Sequence, residues 1–151
     1  MPWHQDASYW AIEPKKTVTA WLALGETSPD NGCLRIIPGS HTRTSEHRAI
    51  SDPTSWFDKG VDPRDIDEST AVDLALRPGE AVLFNEATLH GSEMNRSSQP
   101  RVAISFRYTS PEVRFLIDQW TDPGRVKTFL VRGEDRLHLN DDIRGVEPGE
   151  E

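Results

Sequence analysis

The sequence has a single cysteine, Cys33, among its 151 residues, so no disulfide can form within the chain. Extracellular domains of this size are commonly stabilised by disulfides, and their absence favours a reducing compartment. Because apolar residues follow Cys33, we expect a small buried residue there rather than a nucleophile. The start of the chain also lacks the basic and apolar regions of a secretory signal peptide. Together these absences predict a cytoplasmic protein.

Long apolar runs and clusters of basic residues are missing as well. No stretch approaches the roughly 20 apolar residues of a transmembrane helix. The chain carries 25 acidic and 17 basic residues, a net charge of −8, which argues against nucleic acid and against an anionic membrane surface as partners. Hydrophobic residues make up 35% and charged residues 28%, a composition typical of one globular domain. We therefore expect a small-molecule substrate as the partner.

Short strands separated by turns rich in glycine and proline dominate the pattern. Alternation of side chains or short apolar runs predict strands over residues 17–24, 33–37, 72–76, 81–84 and 101–108. The polar turn at 25–32 predicts that the first two of these form a hairpin. Many short strands of this kind indicate a mainly β fold, an antiparallel sandwich or jelly roll.

Two segments depart from the strand pattern. From Ser40 to Thr70 the apolar periodicity disappears, and structureless loops of this length usually serve a function in compact domains. We interpret this segment as a lid or substrate loop with one helical turn around 63–69, inserted into a core over residues 1–133; the alternative is a merely solvated insertion. The acidic residues 134–151 are expected to form a loose C-terminal tail.

One face of the predicted sheet has no evident cover. Alternation places apolar side chains on the outside of the first and last strands, at positions Val18, Leu22, Leu24, Val102, Ile104 and Phe106. Exposed apolar patches of this kind mark interaction surfaces. The sequence therefore predicts a homo-oligomer or a partner that covers this outer face.

A metal-binding pattern joins the two ends of the strand region. His4 and Asp6 lie two residues apart, so an extended segment directs both to the same side. His90 follows a strand and precedes a Gly-Ser turn, which makes it the best third ligand. Two histidines and one carboxylate are the ligand set of non-haem Fe(II) oxygenases. The alternative, that each histidine is structural, stays open for any one of them taken alone.

Arg101 begins the strand that follows His90. Its guanidinium is a planar, two-pronged match to a carboxylate, and the small inward neighbours Ala103 and Ser105 leave room beside it. An organic acid held against the metal is therefore one interpretation. Pairing with a surface acid is the other.

The chain resembles the phytanoyl-CoA dioxygenase family of Fe(II)- and 2-oxoglutarate-dependent oxygenases. The resemblance covers Trp3 to Tyr108 and rests on these segments: Trp3-His4-Gln5-Asp6, Trp21-Leu22-Ala23-Leu24, Asn31-Gly32-Cys33-Leu34-Arg35-Ile36-Ile37-Pro38-Gly39-Ser40-His41, Leu76-Arg77-Pro78-Gly79-Glu80, His90-Gly91-Ser92 and Arg101. It implies a double-stranded β-helix, the jelly-roll fold of cupin-like proteins. It also implies hydroxylation of a small organic substrate with O2, with release of succinate and CO2 from 2-oxoglutarate.

The resemblance assigns roles to individual residues. It implies that Fe(II) is bound by His4, Asp6 and His90. It implies that Arg101 pairs with the distal carboxylate of 2-oxoglutarate, and that the co-substrate pocket is lined by Gln5, Trp21 and Ser92. Three further histidines are expected outside the ligand set: His41 as a structural or supporting residue, and His47 and His138 as surface residues.

Family members carry further strands and helices before the His-x-Asp motif, so the resemblance predicts a jelly roll that is incomplete at its N-terminus. An alternative function follows: a truncated remnant, catalytically weak or inactive, that acts as a metal-binding or interaction module. A cupin-like metal protein that does not use 2-oxoglutarate is a third interpretation, but it leaves Arg101 unexplained. No motif identifies the prime substrate.

Overall fold

The computed structural model describes residues 1–51 and 55–145 of the chain. Within these ranges it contains ten strands: β1 (Ile12–Glu13), β2 (Thr17–Ala23), β3 (Leu34–Ile36), β4 (His47–Ala49), β5 (Lys59–Val61), β6 (Val72–Leu74), β7 (Ala81–Asn85), β8 (His90–Gly91), β9 (Ala103–Thr109) and β10 (Arg114–Phe115). The helices in these ranges are short 3-10 turns: Asp6–Ser8, Ser40–Thr42, Pro63–Asp65, Glu68–Thr70, Ile117–Gln119, Pro123–Arg125 and Asp141–Ile143. None of the described helices is long and apolar enough to cross a membrane.

Two three-stranded antiparallel sheets form the body of the fold. One has the order β7-β2-β9 and the other the order β6-β3-β8. A core packs between them, built from Trp21, Ala23 and Phe84 of the first sheet and Leu34 of the second. The mainly β, double-stranded β-helix fold expected from the sequence is confirmed.

The alternation of β2 determines which way the first sheet faces. Thr17, Thr19, Trp21 and Ala23 are all buried, whereas Val18 is 43% exposed. A strand directs successive side chains to opposite faces, so this register fixes Trp21 in the core and Thr19 beside the site described below. The strand and its two faces agree with the prediction.

The sheet pairing corrects the predicted hairpin between residues 17–24 and 33–37. β2 pairs with β7 and β9, while β3 pairs with β6 and β8 in the other sheet. The connection is held across the sandwich by buried Thr27, whose hydroxyl donates to the Leu74 carbonyl and accepts from the Leu76 amide. A polar turn of this length is compatible with a hairpin or with a crossing between sheets, and only long-range pairing distinguishes the two.

Segment 40–70 contains more regular structure than expected. The helical turn predicted around 63–69 is present as two 3-10 turns, but β4 and β5 also pair as an antiparallel hairpin. The hairpin was missed because its strands are only three residues long and carry no apolar alternation. Residues 52–54 of the expected loop lie outside the described residues. The boundaries of the core, the insertion and the tail remain predictions.

Residues 140–144 of the C-terminal segment contact the rest of the fold. The Asn140 amide donates to the Val113 carbonyl, and its side-chain oxygen accepts from the Phe115 amide. Ile143 is buried, and Thr128 bridges Arg144. Residues 140–144 therefore pack against the body of the fold. The loose tail expected over residues 134–151 stays a prediction, and residues 146–151 lie outside the described ranges.

The outer face of the first sheet is apolar and exposed, as predicted. Leu83 of β7 and Phe106 of β9 both lie opposite Ala20 of the central strand β2. The exposed large side chains on this face include Val18, Leu83, Ile104, Phe106 and Tyr108. We call these five residues the outer apolar face. Cys33, by contrast, is almost fully buried, as expected.

Candidate metal centre

His4 and His90 are brought together by a backbone bridge beside the second sheet. The His4 amide donates to the His90 carbonyl at 2.9 Å, and the His90 amide donates back to the His4 carbonyl at 3.0 Å. The two rings lie 4.1 Å apart between centroids, and both residues are buried. The Trp3 carbonyl also accepts a hydrogen bond from Val61 of β5. The segment that carries His4 is thus fixed on both sides.

Asp6 completes the cluster from the first turn of the 3-10 helix Asp6–Ser8. One carboxylate oxygen lies 3.6 Å from His4 Nε2 and 3.8 Å from His90 Nε2. One potential ligand atom from each of the three residues lies within 4.8 Å of the others. Metal–ligand bonds to nitrogen and oxygen are about 2 Å long, so atoms at this spacing can share one ion. The three residues predicted to form a metal site do lie together.

Backbone carbonyls fix the orientation of both histidine rings. Nδ1 of His4 lies 2.9 Å from the Pro2 carbonyl, and Nδ1 of His90 lies 2.9 Å from the Thr88 carbonyl. A carbonyl oxygen only accepts, so each Nδ1 must carry a proton, and Nε2 is the ring nitrogen that is left to offer a lone pair to the shared space. This backbone support of the distal ring nitrogen is typical of histidine ligands.

Burial and neighbouring charges shift the pKa values of His90 and Asp6. Desolvation by burial lowers the pKa of His90 to about 4, and the charge of His4 lowers it further. Burial would raise the pKa of Asp6, but hydrogen bonding to His4 and the positive charges of His90 and Arg107 hold it below its ordinary value. At neutral pH the cluster therefore offers a neutral imidazole at His90 and a carboxylate at Asp6. This donor set fits a divalent iron.

The cluster opens into a cavity of about 480 Å³. Its walls include the faces of Trp21 and Phe84 from the first sheet and the side chains of Phe57 and Tyr9. Tyr9 donates a hydrogen bond from its hydroxyl to the Lys59 carbonyl. Aromatic side chains beside a few convergent polar groups are typical of a small-molecule site.

Arg101 and Ser92 line a neighbouring, larger cavity of about 950 Å³ rather than the one that contains the cluster. The two cavities share the side chains of Trp56 and Phe57 in their walls. The guanidinium carbon of Arg101 lies 5.6 Å from the centre of the Trp21 ring, and Trp21 lines the metal cavity. The structure thus places Trp21 with the cluster and Arg101 against Trp21. Ser92 bonds through its backbone to Met1.

Gln5 does not occupy the position expected of it. Its side-chain nitrogen donates to the carbonyls of Arg43 and Ala87, at 2.7 and 2.5 Å, and its side-chain oxygen accepts from the Ser45 amide at 2.8 Å. Adjacent residues of an extended segment point to opposite sides, so Gln5 faces away from the side that His4 and Asp6 share. Its amide ties the segment after β3 to the segment before β8. It does not line either of the two cavities.

His47 was expected at the surface and lies instead behind the cluster. Its Nε2 accepts a hydrogen bond from the backbone amide of Gln5 at 3.0 Å, and its ring packs edge-on against Tyr9. Burial lowers the pKa of His47 below its ordinary value. The sequence could not reveal this contact, because it depends on the β4–β5 hairpin that the pattern missed. His41 and His138 are exposed.

Arg107 is the second residue that the sequence reasoning passed over. It lines the metal cavity and its guanidinium carbon lies 5.0 Å from the centre of the Trp10 ring. The available signal was strand alternation, which puts Arg107 on the same face as Arg101, Ala103 and Ser105.

Comparison with known protein families gives a match over most of the chain. A family model described as phytanoyl-CoA dioxygenase (PhyH) matches residues 1–103. The chain is 32% identical over 128 residues to a phytanoyl-CoA dioxygenase domain-containing protein 1 homolog of Dictyostelium discoideum, covering 81% of this chain and 46% of that protein. It is 31% identical over 137 residues to the peroxisomal phytanoyl-CoA dioxygenase of Homo sapiens, covering 86% of this chain and 39% of the human enzyme. The chain thus spans less than half the length of these relatives.

Solved structures show the same fold. The apo form of ThoJ, a non-heme monooxygenase, superposes with a TM-score of 0.63 at 30% identity, over 76% of this chain and 41% of ThoJ. EvdO2 from Micromonospora carbonacea var. aurantiaca, complexed with 2-oxoglutarate, superposes with a TM-score of 0.61 at 32% identity, over 70% of this chain and 43% of EvdO2.

Proposed function

The chain belongs to the phytanoyl-CoA dioxygenase family, and from that premise we propose that it is an Fe(II)- and 2-oxoglutarate-dependent dioxygenase that hydroxylates a small organic substrate. One observation carries the proposal: His4, Asp6 and His90 converge in a buried cluster with both Nε2 atoms directed at a shared space. Two histidines and one carboxylate leave coordination positions open for a co-substrate and oxygen. Bound iron would supply the activation of O2, coupled to conversion of 2-oxoglutarate to succinate and CO2.

The protein residues would hold and orient the reactants around that iron. His4, Asp6 and His90 are its proposed ligands, with the carbonyls of Pro2 and Thr88 fixing the two imidazoles. The Thr19 hydroxyl lies 3.4 Å from the second Asp6 oxygen, which leaves the first oxygen directed at the histidines. Such contacts behind the ligands fix ligand orientation and raise metal affinity.

Arg101 is the proposed partner of the distal carboxylate of 2-oxoglutarate. Its guanidinium carbon lies 5.6 Å from the centre of the Trp21 ring, and Trp21 also lines the cavity of the cluster. A 2-oxoglutarate that binds the iron and extends along this ring would bring its distal carboxylate toward the guanidinium. Ser92 shares the Arg101 cavity and is assigned to the same carboxylate. The similarity to EvdO2, whose structure contains 2-oxoglutarate, supports this assignment. Gln5 is not assigned to the co-substrate pocket, because its side-chain amide is hydrogen-bonded to the backbone of Arg43, Ala87 and Ser45.

The alternative is a metal-binding or interaction module with little or no activity. The observations that favour it are the exposed outer apolar face and the position of Arg101 in a cavity separate from the cluster. Such a module would bind a metal ion through the same three residues but would not chelate 2-oxoglutarate.

Anaerobic addition of Fe(II) and then 2-oxoglutarate separates the two functions. The oxygenase should develop the visible charge-transfer absorption of 2-oxoglutarate chelated to Fe(II). Arg101→Gln should weaken 2-oxoglutarate binding by about 10- to 100-fold, the range of a lost charge-assisted contact, while Fe(II) still binds. The control is Arg125→Gln, an arginine that is 88% exposed and pairs with Asp122. Folded protein that binds Fe(II) but never develops the absorption contradicts the proposal and supports the module.

A further inference from the structure

Arg107 places a second positive charge on the cavity side of β9. It lies directly opposite Thr19 in the β2–β9 register, and the Thr19 hydroxyl contacts Asp6. Arg107 is therefore the cross-strand neighbour of a residue that touches the cluster. Its charge also lowers the pKa of both Asp6 and His90, which is consistent with a guanidinium directed into this cavity.

The Arg107 guanidinium is available to a ligand. It is exposed, and among the described residues it forms no ion pair and donates no hydrogen bond. The guanidinium carbon lies 5.0 Å from the centre of the Trp10 ring. Asp58 is an acidic residue that lines the same cavity, yet the two groups are not paired. Stacking on an aromatic ring leaves the donors at the edge of a guanidinium free for an anion.

A single 2-oxoglutarate cannot bind the iron and pair with both Arg101 and Arg107. Arg107 lies in β9 and Arg101 lies two residues before β9 begins. A separation of six residues corresponds to about 20 Å along an extended backbone. Small side chains, Ala103 and Ser105, separate them on this face. A co-substrate as short as 2-oxoglutarate that reaches from the iron to Arg101 leaves no carboxylate of its own for Arg107.

We propose that Arg107 binds an anionic group of the prime substrate, a carboxylate or a phosphate, whose apolar body rests against Trp10 and Phe57. The inference rests on the proposed function, since it assigns Arg101 to 2-oxoglutarate and Arg107 to the substrate. A guanidinium pairs with either anion through two parallel hydrogen bonds. The aromatic residues on both sides of the cavity favour an acid with a hydrophobic body over a fully polar one.

Two matched pairs of probes test the charge requirement on the full chain loaded with Zn(II) and saturated with 2-oxoglutarate. The first is 3-phenylpropanoate with its neutral amide, and the second is phenyl phosphate with phenol. NMR follows the Nε–H resonance of the Arg107 guanidinium, which is assigned by its loss in Arg107→Gln. We expect at least one anion to shift this resonance and its neutral partner to leave it unchanged. The pair that responds identifies the anionic group.

The variants decide between the two arginines. Arg107→Gln should weaken binding of the responding anion by about tenfold or more, whereas Arg125→Gln should not change it. Measured on the same variants, the anaerobic Fe(II)–2-oxoglutarate absorption should persist in Arg107→Gln and weaken in Arg101→Gln. Anions that bind no better than their neutral partners, or equally to wild type and Arg107→Gln, overturn the inference. So does loss of the absorption in Arg107→Gln alone. If wild-type protein never develops the absorption but still binds the anion, the proposed oxygenase function is wrong and the anion site at Arg107 is supported.

Discussion

Backbone carbonyls, more than side-chain partners, prepare the individual residues of this site. The carbonyls of Pro2 and Thr88 accept hydrogen bonds from Nδ1 of His4 and His90, so each Nε2, the proposed metal-binding nitrogen, is directed at the shared space. The same logic applies to Gln5, which satisfies its whole side-chain amide with backbone groups. Substitutions at these positions should therefore change the free energy of unfolding, which can be measured without an activity assay.

The buried imidazole of His90 should make the metal-free protein sensitive to mild acid. Its pKa is lowered from 6.5 to about 4, so between these values the unfolded chain binds a proton that the folded chain does not. Stability should therefore fall as the pH drops through this window, by about 3 kcal/mol in total. Urea unfolding of chelator-treated protein at several pH values measures this.

His90→Gln is the matched variant for the pH series, since it removes the titrating group. Its stability should depend less steeply on pH between 6.5 and 4, with a residual slope from His47, whose pKa burial also lowers. The carboxyl of Asp6 should not contribute in this window, because its pKa is lowered from 3.8 and its contribution is lost only at more acid pH. Identical slopes for wild type and His90→Gln would refute the assignment.

Gln5→Ala should destabilise the fold without removing a ligand. Three part-buried hydrogen bonds, with the Arg43 and Ala87 carbonyls and the Ser45 amide, are lost, at a cost of about 2–4 kcal/mol. Gln99→Ala, at an exposed position, is the control and should cost less than about 0.5 kcal/mol. Denaturant titration compares the two. Equal stabilities would show that the Gln5 contacts contribute nothing.

At the scale of elements, the ends of β3 depend on two glycines in different surroundings. Gly32 and Gly39 have φ of +75° and +77°, values that L side chains rarely adopt. A methyl group at Gly32 would lie 2.6 Å from the Glu93 carbonyl oxygen, whereas one at Gly39 would meet nothing within 4 Å. The two positions thus share backbone strain and differ in steric contact.

Gly39→Ala should cost about 1–2 kcal/mol from backbone strain alone, and Gly32→Ala should cost at least about 1 kcal/mol more because the Glu93 segment must move. Thermal or urea unfolding of both variants gives the difference. A Gly32→Ala protein as stable as Gly39→Ala would show that the approach of Glu93 to this turn is not close in solution.

Sequence patterns predicted single elements better than their pairing. The alternation in β2 was sufficient to locate the strand and its buried face. The alternation in residues 101–108 located β9 to within two residues, although no side chain of β9 is fully buried. The pairing of β3 with β6 was not predictable, because the two strands are far apart in the chain. The contact between Thr27 and Leu74 that supports this pairing spans 47 positions. The β4–β5 hairpin was missed because three-residue strands containing Arg48, Lys59 and Gly60 have no apolar period. His47 was misjudged for the same reason.

At the scale of the whole molecule, one side of the first sheet faces the buried cluster and the other side is the exposed outer apolar face. The convergence of His4, Asp6 and His90 was predictable from sequence because these residues match the motif of the family. Their role as metal ligands stays a prediction. Arg107 was not singled out, because a lone arginine on a strand has no signal until its cavity is known. The outer apolar face remains a predicted interaction surface, and its Leu83 side chain is 68% exposed.

Leu83→Lys should reduce self-association and binding of a hydrophobic dye, because it interrupts the outer apolar face at its most exposed residue. The free energy of unfolding should change by less than about 0.5 kcal/mol, since little of the side chain is buried. Sedimentation velocity across a range of concentrations measures association. Unchanged association would show that this face does not contact a second copy.

The central claim is that His4, Asp6 and His90 form one metal centre, and anaerobic calorimetric titration with Fe(II) tests it most directly. Wild-type protein should bind one Fe(II) per chain. Asp6→Ala and His90→Ala should each lose about 10- to 100-fold or more in affinity while remaining folded by circular dichroism, and His41→Ala, at an exposed position, should bind as the wild type does. Equal affinity and stoichiometry in wild type, Asp6→Ala and His90→Ala would contradict the account.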